Sequence, residues 1–118
     1  RQGQVWLVYR AEDTIGKFAG TSRLGLARSD DGLRFTKEPT PIFFPDNDAY
    51  KKYEWEGGCE DPRIVESPPD GKFDGGYVMT YTSYDGKTAR LMLATSPDLR
   101  RWTKHGPVLG EGQFGNTW

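Results

Sequence analysis

The sequence predicts an all-β fold of the propeller type, and three observations support this prediction. Short β-branched and aromatic runs alternate with turn sequences along the 118 residues, and the 15 Gly and 8 Pro argue against long helices. No window keeps a helical period of hydrophobic residues, so we expect almost no helix. A unit of several short antiparallel strands occurs twice, which is typical of propeller blades.

The two copies of this unit contain the same segments in the same order. Each has a strand, a polar loop, a second strand ending in Ala-x-Ser, a turn with Asp, and an aromatic residue that starts a third strand. The matched segments are 5–9 with 77–81, 27–31 with 94–98, 35–37 with 102–104, and Ile42 with Leu109. The repeat units therefore span roughly residues 5–42 and 77–109, about two blades. A β-sandwich would show its strands without this self-similarity.

Local patterns place the individual strands and turns. We predict strands at 5–9, 24–27, 76–82 and 90–95, and tight turns at 29–32, 70–71, 85–86 and 96–98. Two blades would leave open sheet edges and half-buried faces. The chain also does not begin with Met, and neither end has the character of a tail. We therefore expect residues 1–118 to be a fragment of one larger propeller domain, whose compartment is not readable from this sequence, with a cytoplasmic location favoured.

Composition excludes several classes of function. The net charge is −1 and the 16 basic residues form no block, so a nucleic-acid partner is not indicated. No apolar run is long enough for a membrane span. Cys59 is the single cysteine, so no internal disulfide can form, and we predict a buried, structural thiol. No His, Cys and Asp cluster has the spacing of metal ligands, so no metal is predicted.

The most informative segment is Gly57-Gly58-Cys59-Glu60-Asp61-Pro62-Arg63. An acid beside a fixed cation, on backbone stiffened by proline, is suited to donate a proton to a polar substrate. In an extended segment Asp61 and Arg63 would point to one side, and Glu60 and Pro62 to the other. The glycine pair lets the chain pass close to a bulky group or turn. The alternative interpretation is a turn with a surface Glu–Arg pair, which contributes little.

Aromatic residues surround this segment and favour a carbohydrate substrate. Tyr50, Tyr53 and Trp55 precede it, and each either stacks on a sugar ring or packs in the core. Tyr81 and Tyr84 end a predicted strand, where their side chains could face a central channel. The strand-end arginines Arg10 and Arg23 either project into a central pocket or are solvated.

Five segments in one order resemble glycoside hydrolase family 130, the β-mannoside phosphorylases and β-mannosidases. They are 8–13, 22–27, 57–63, 79–82 and 93–99, and the glycines with Glu60-Asp61-Pro62-Arg63 are the specific part. The resemblance covers nearly the whole chain and implies a five-bladed catalytic propeller with its active site in the central funnel. The chain resembles about the first third of such an enzyme, and 112–118 resembles the start of the next motif.

The resemblance also implies an inverting mechanism. Asp61 is then the general acid, and its proton passes through a mannose hydroxyl to the glycosidic oxygen. Arg23 is implied to contact sugar or phosphate. The further predicted substrate-binding residues are Arg10, Glu60, Arg63, Tyr81 and Tyr84.

The expected partner is a β-mannoside oligosaccharide, with no cofactor and with inorganic phosphate as co-substrate of a phosphorylase. Phosphorolysis to mannose 1-phosphate is favoured over hydrolysis, because several arginines in a nearly neutral chain can hold an anion. Two alternatives stay open: a propeller glycosidase acting on arabinan, xylan or fructan, and a non-catalytic sugar-binding propeller. The oligomeric state is left open.

Overall fold

The computed structural model describes residues 3–12, 21–68 and 75–108. These residues form seven strands and one helix of four residues, as the all-β prediction requires. Most strands begin or end within three residues of the predicted limits. In chain order the elements are β1 Val5–Glu12, β2 Ser22–Ser29, β3 Thr36–Lys37, α1 Lys51–Glu54, β4 Gly58–Glu66, β5 Tyr77–Tyr84, β6 Ala89–Ser96 and β7 Thr103–Pro107.

The strands form two antiparallel groups that meet at one point. One group is β1, β2 and β3, and the other is the meander β4–β5–β6–β7. A single parallel pair, Ser22 with Gly58, joins β2 to β4 within the described residues. The two groups therefore belong to one sheet but are joined by this single strand pair, an arrangement compatible with two adjacent propeller blades.

The repeated segments have the same strand register in both groups. Ala27 pairs with Lys37 between β2 and β3, and Ala94 pairs with Lys104 between β6 and β7. The predicted turn at 85–86 lies between β5 and β6, where Asp85 accepts the Lys87 and Thr88 amides at 2.8 Å each. The predicted turn at 70–71, Leu109 and the segment 112–118 lie outside the described residues.

The two Ser-x-Asp turns have nearly the same hydrogen bonds. Ser29 Oγ accepts the Gly32 amide at 2.9 Å, and Ser96 Oγ accepts the Leu99 amide at 2.8 Å. Each turn aspartate accepts two further backbone amides, those of residues 33 and 34 in the first turn and 100 and 101 in the second. Gly32 and Leu99 both have left-handed backbone, with φ of 78° and 71°. Side-chain oxygens that accept local amides therefore set both turns.

The core lies between the sheet and the segment 42–54 that crosses it. Its buried members are Leu24, Phe43, Cys59, Met79, Tyr81, Met92 and Ala94. Phe43 is the centre of the aromatic contacts, with ring centroids 4.6 Å from Tyr81 and 6.3 Å from Trp102, both edge to face. Cys59 is buried as predicted, and burial raises the pKa of its thiol far above the usual range. The cysteine is thus a packing residue rather than a nucleophile.

Candidate active site

The glycine pair at the start of β4 is required by close packing. Gly58 has a φ of 107°, and a Cβ there would lie 2.2 Å from the Ser22 carbonyl oxygen. A Cβ on Gly57 would lie 2.1 Å from the Tyr84 ring. The Gly57 carbonyl accepts the Ser22 amide at 2.9 Å. The prediction that these glycines let the chain pass close to a bulky group is confirmed, since a side chain on Gly58 would collide with the β2 backbone and one on Gly57 with the Tyr84 ring of β5.

A β-bulge lies at the centre of the motif. Glu60 pairs with Thr82 and Arg63 with Thr80, so β4 contains one residue more than β5 over this stretch. Asp61 sits in the bulge with a φ of 52° and an exposed side chain. The prediction of a plain extended segment is wrong here, because a bulge interrupts the alternation of side chains and turns one residue away from the ladder. Aspartate tolerates left-handed backbone better than most residues.

Glu60 is bound by residues of the first strand group. Its carboxylate accepts a hydrogen bond from Arg10 Nη1 at 2.9 Å and from Ser22 Oγ at 3.3 Å. Glu12 lies 3.7 Å from the same guanidinium. The structure therefore brings the predicted residues Arg10 and Glu60 together, and an ion pair joins the blades directly beside Asp61. Because the Arg10 and Glu60 side chains are 48% and 26% exposed, this pair adds little stability by itself.

Arg63 and Tyr84 are both accessible. The Arg63 side chain is exposed in the described structure. Because the bulge lies between Glu60 and Arg63, strand alternation no longer predicts that Arg63 and Asp61 point to the same side. Tyr84 is 38% exposed and donates its hydroxyl to the Gly86 carbonyl at 3.0 Å. Its ring covers Gly57, so it supports the motif from the β5 side.

Tyr81 is placed differently from the prediction. The side chain is fully buried, and its hydroxyl donates to Glu54 Oε2 at 2.6 Å. Burial and the Glu54 charge raise the pKa of this phenol far above its usual range. Tyr81 is thus a core residue that sequence alternation could not distinguish from a channel-facing one, because Tyr81, Thr82 and Ser83 are all buried and β5 shows no alternation of burial there.

Arg23 borders a cavity of about 420 Å³. The wall combines two aromatic rings, two prolines and several polar groups, a mixture that suits a polyhydroxylated ligand. Lys51 Nζ lies 5.1 Å from the centroid of the Trp55 ring. The lining residues are Arg23, Thr40, Pro41, Phe44, Pro45, Asp46, Asn47, Lys51 and Trp55. A second cavity of about 380 Å³ includes Pro62, directly after the bulge, with Trp6, Val8, Ile64, Glu66, Tyr77 and Leu99.

A buried polar network beneath the motif was missed by the sequence interpretation. Glu54 is fully buried and binds Lys104 Nζ at 2.6 Å as well as the Tyr81 hydroxyl. Burial raises the pKa of Glu54, although both hydrogen bonds act against the shift. Burial alone would lower the pKa of Lys104, but the hydrogen bond to Glu54 and its charge outweigh this and raise it. No local pattern reveals this pair, because its members lie 50 positions apart.

Over residues 3–12, 21–68 and 75–108, no group of three or more His, Cys, Asp or Glu side chains could hold a metal ion. None of the described helical residues forms a segment that is both long and apolar enough to cross a membrane.

Comparison with known proteins identifies the family. The model of glycoside hydrolase family 130, described as β-1,4-mannooligosaccharide phosphorylase, matches residues 2–114. The chain belongs to this family, as its motifs indicated. It is 37% identical over 117 residues to a 1,2-β-oligomannan phosphorylase of Thermoanaerobacter sp. strain X514, covering 92% of this chain and 35% of that protein.

Solved structures give the same result at higher identity. A glycosyl hydrolase from Bacteroides ovatus has a TM-score of 0.85 and 48% identity, covering 98% of this chain and 32% of that one. A second structure has a TM-score of 0.83 and 50% identity, with coverage of 98% and 31%. It was reported as showing that this family of mannoside phosphorylases contains glycoside hydrolases that target β-1,2 mannosidic linkages in Candida mannan. The chain thus spans about a third of the length of the relatives it matches.

Proposed function

We propose that this chain forms the first part of a five-bladed propeller enzyme that cleaves β-mannosidic bonds, with β-1,2-linked mannosides as substrates. The observation that carries the proposal is the Glu60-Asp61-Pro62-Arg63 motif of a family 130 chain, held in a bulge of β4 that exposes Asp61. The linkage is supported by the 1,2-β-oligomannan phosphorylase and by the structure reported with β-1,2 mannosidic linkages.

In the proposed reaction Asp61 is the general acid. It gives its proton, through a mannose hydroxyl, to the glycosidic oxygen as the anomeric carbon–oxygen bond breaks. The attacking oxygen of phosphate or water approaches the opposite face of the sugar, so a β-mannoside yields an α-configured product. The Glu60–Arg10 ion pair lies next to Asp61 and links the two strand groups there, while Arg23 and the cavity that it borders bind sugar hydroxyls.

Phosphorolysis is the first candidate for the attacking group. It is the prediction from the sequence, and the family model and the curated relative are both described as phosphorylases. Hydrolysis is an equally supported candidate, because this chain is 50% identical to the structure reported with hydrolases and 37% identical to the curated phosphorylase. The ion pair of Arg10 with Glu60 also weakens the argument for phosphate, since that cation already has an anionic partner.

Product analysis separates these candidates. The full-length enzyme is incubated with β-1,2-mannobiose, with and without inorganic phosphate, and the products are followed by nuclear magnetic resonance. Phosphate-dependent release of α-mannose 1-phosphate indicates a phosphorylase, and free α-mannose in both samples indicates a hydrolase. An initial β-configured product would contradict inversion, and the absence of turnover on any β-mannoside would favour the sugar-binding alternative.

Replacing the proposed acid tests the mechanism directly. We expect Asp61→Asn to lower kcat by about 100-fold or more, because the amide cannot supply the proton. Asp30→Asn, at an exposed turn in the first repeat, is the matched control and should keep the parental rate. Near-parental turnover by the Asp61 variant would exclude this carboxylate as the acid.

A further inference from the structure

The buried pair Glu54–Lys104 has no role in the proposed chemistry, yet both of its charged groups have several hydrogen-bonding or ionic partners. Both Glu54 carboxylate oxygens are used: Oε1 accepts from Lys104 and Oε2 from Tyr81, each at 2.6 Å. The Glu54 side chain is 0% exposed and the Lys104 side chain 10%. Placing two charges at this depth costs desolvation energy, which a fold recovers only with several good partners.

Lys104 connects the outer strand β7 to three points of the segment 44–54. Its ammonium contacts Glu54 at 2.6 Å, the Phe44 carbonyl at 2.9 Å and Asp48 at 3.1 Å. A lysine has three N–H donors, and these three acceptors match them. The segment contains little regular structure besides the four-residue helix α1, so Lys104 anchors it together with Tyr50 and Tyr53, which pack against the core.

The same segment leads directly into the catalytic motif. Four positions separate Glu54 from Gly58, and the intervening backbone is bound to Thr21 and Ser22, where β2 begins. The Glu56 carbonyl accepts from Thr21 Oγ1 at 2.8 Å, and the Gly57 carbonyl accepts the Ser22 amide at 2.9 Å. Residues Phe44, Lys51 and Trp55 also form part of the cavity beside Arg23. A displacement of Glu54 would therefore move both the cavity wall and the stretch of chain that leads to Asp61.

We propose that Glu54 and Lys104 are positioning residues, whose buried ion pair sets the place of the segment 44–57 and thereby of Asp61 and the Arg23 cavity. The inference rests on the proposed function, because it assigns the pair to the same active site. It concerns geometry alone, since neither side chain reaches the exposed surface around Asp61.

The internal repeat supplies the control. Lys37 occupies the position in β3 that Lys104 occupies in β7, with the same register, but its side chain is exposed. The full-length enzyme is compared with Lys104→Met, Glu54→Gln, the double variant and Lys37→Met. The measurements are kcat and KM on the mannoside that the parent cleaves, the melting temperature, and amide hydrogen exchange of peptides covering 55–63.

Each single variant at the pair leaves the other partner buried without its counter-charge, so we expect a lower melting temperature in both. The double variant removes both charges and should recover much of the loss. We expect kcat/KM to stay about 10- to 100-fold below the parent in the double variant, because misplacement by about 1 Å has effects of this size. Exchange over 55–63 should be faster in it, whereas Lys37→Met should match the parent in every measurement.

A double variant with recovered melting temperature, parental kcat/KM and parental exchange would overturn the proposal and leave the pair a purely structural one. If the double variant does not fold, Glu54→Gln assayed below its melting temperature decides, because the amide keeps the size of the side chain and removes the charge that pairs with Lys104. Parental exchange and turnover in that variant would equally overturn the proposal. Failure of the proposed function is a separate outcome: the parent then cleaves no β-mannoside, while the exchange comparison still reports on the anchoring.

Discussion

Two of the side chains that follow the Ser-x-Asp turn, Phe35 and Lys37, face solvent in the first repeat, whereas their counterparts Trp102 and Lys104 in the second repeat are partly buried. Phe35 is 39% exposed, but Trp102 packs against Phe43 with its ring edge on. Lys37 is exposed, but Lys104 bonds to the buried Glu54, to Asp48 and to the Phe44 carbonyl. The covering segment, residues 42–54, crosses the second repeat and carries Phe43, Asp48 and Glu54.

This difference shows that local sequence determines the turn geometry and the strand register, whereas a distant packing segment determines which side chains are buried. The turns have matching side-chain acceptors and matching strand register, so local sequence accounts for them. Burial of the next residues does not follow from the turn, because it depends on a segment that lies some 50 positions away from them in the chain. Substitutions at equivalent positions should therefore differ where the covering segment contributes and agree where it does not.

The largest difference is expected for the aromatic pair. Trp102→Ala removes a ring that contacts the core and donates from Nε1 to the Leu99 carbonyl at 2.8 Å. We expect a loss of about 3 kcal/mol in the free energy of unfolding, within the usual range for large-to-small core changes. Phe35→Ala should cost about 0.5 kcal/mol, as surface changes do. Denaturant unfolding of both variants measures this, and equal losses would show that the covering segment does not stabilise the second repeat.

The turn serines should give equal and smaller effects. Ser29→Ala and Ser96→Ala each remove an oxygen that accepts two backbone amides. We expect each to cost about 1 kcal/mol, the typical value for a capping hydrogen bond. The same unfolding measurement applies. A large effect in one repeat with none in the other would contradict the view that local bonds set both turns.

The smallest effect concerns acid pH. Backbone hydrogen bonds from Arg34 and Leu33 hold the pKa of Asp31 below its ordinary value of 3.8, and the Arg101 amide does the same for Asp98 although slight burial opposes it. A carboxylate with a lowered pKa in the folded state stabilises the fold above its unfolded pKa, and this contribution is lost as the pH falls through the lower folded value. The stability difference between the parent and Asp98→Asn should therefore shrink as the pH drops below 3.8. Asp31→Asn should behave alike, and a difference independent of pH would contradict the assignment.

Much of the fold was predictable, because its signals are local. Short β-branched runs, Gly and Asp turns and the Ala-x-Ser-x-Asp repeat predicted the strands of both repeats and the absence of long helices. The acid-rich motif and its glycines were also recognisable from the sequence. Glycine is required at position 58, because a Cβ there would collide with the Ser22 backbone. The assignment of Asp61 as the acid stays a prediction, since the chain spans about a third of its relatives' length.

The sequence by itself determined the strand alternation, the two turns and the family, because these depend on residues close together in the chain or on a motif read in order. Tertiary structure alone decided that Glu60 binds Arg10, that Asp61 lies in a bulge, that Tyr81 is buried, and that Glu54 meets Lys104. The physical reason is that burial and charge pairing are set by distant segments that pack against each other. No pattern within a single strand encodes which of its faces such a segment will cover.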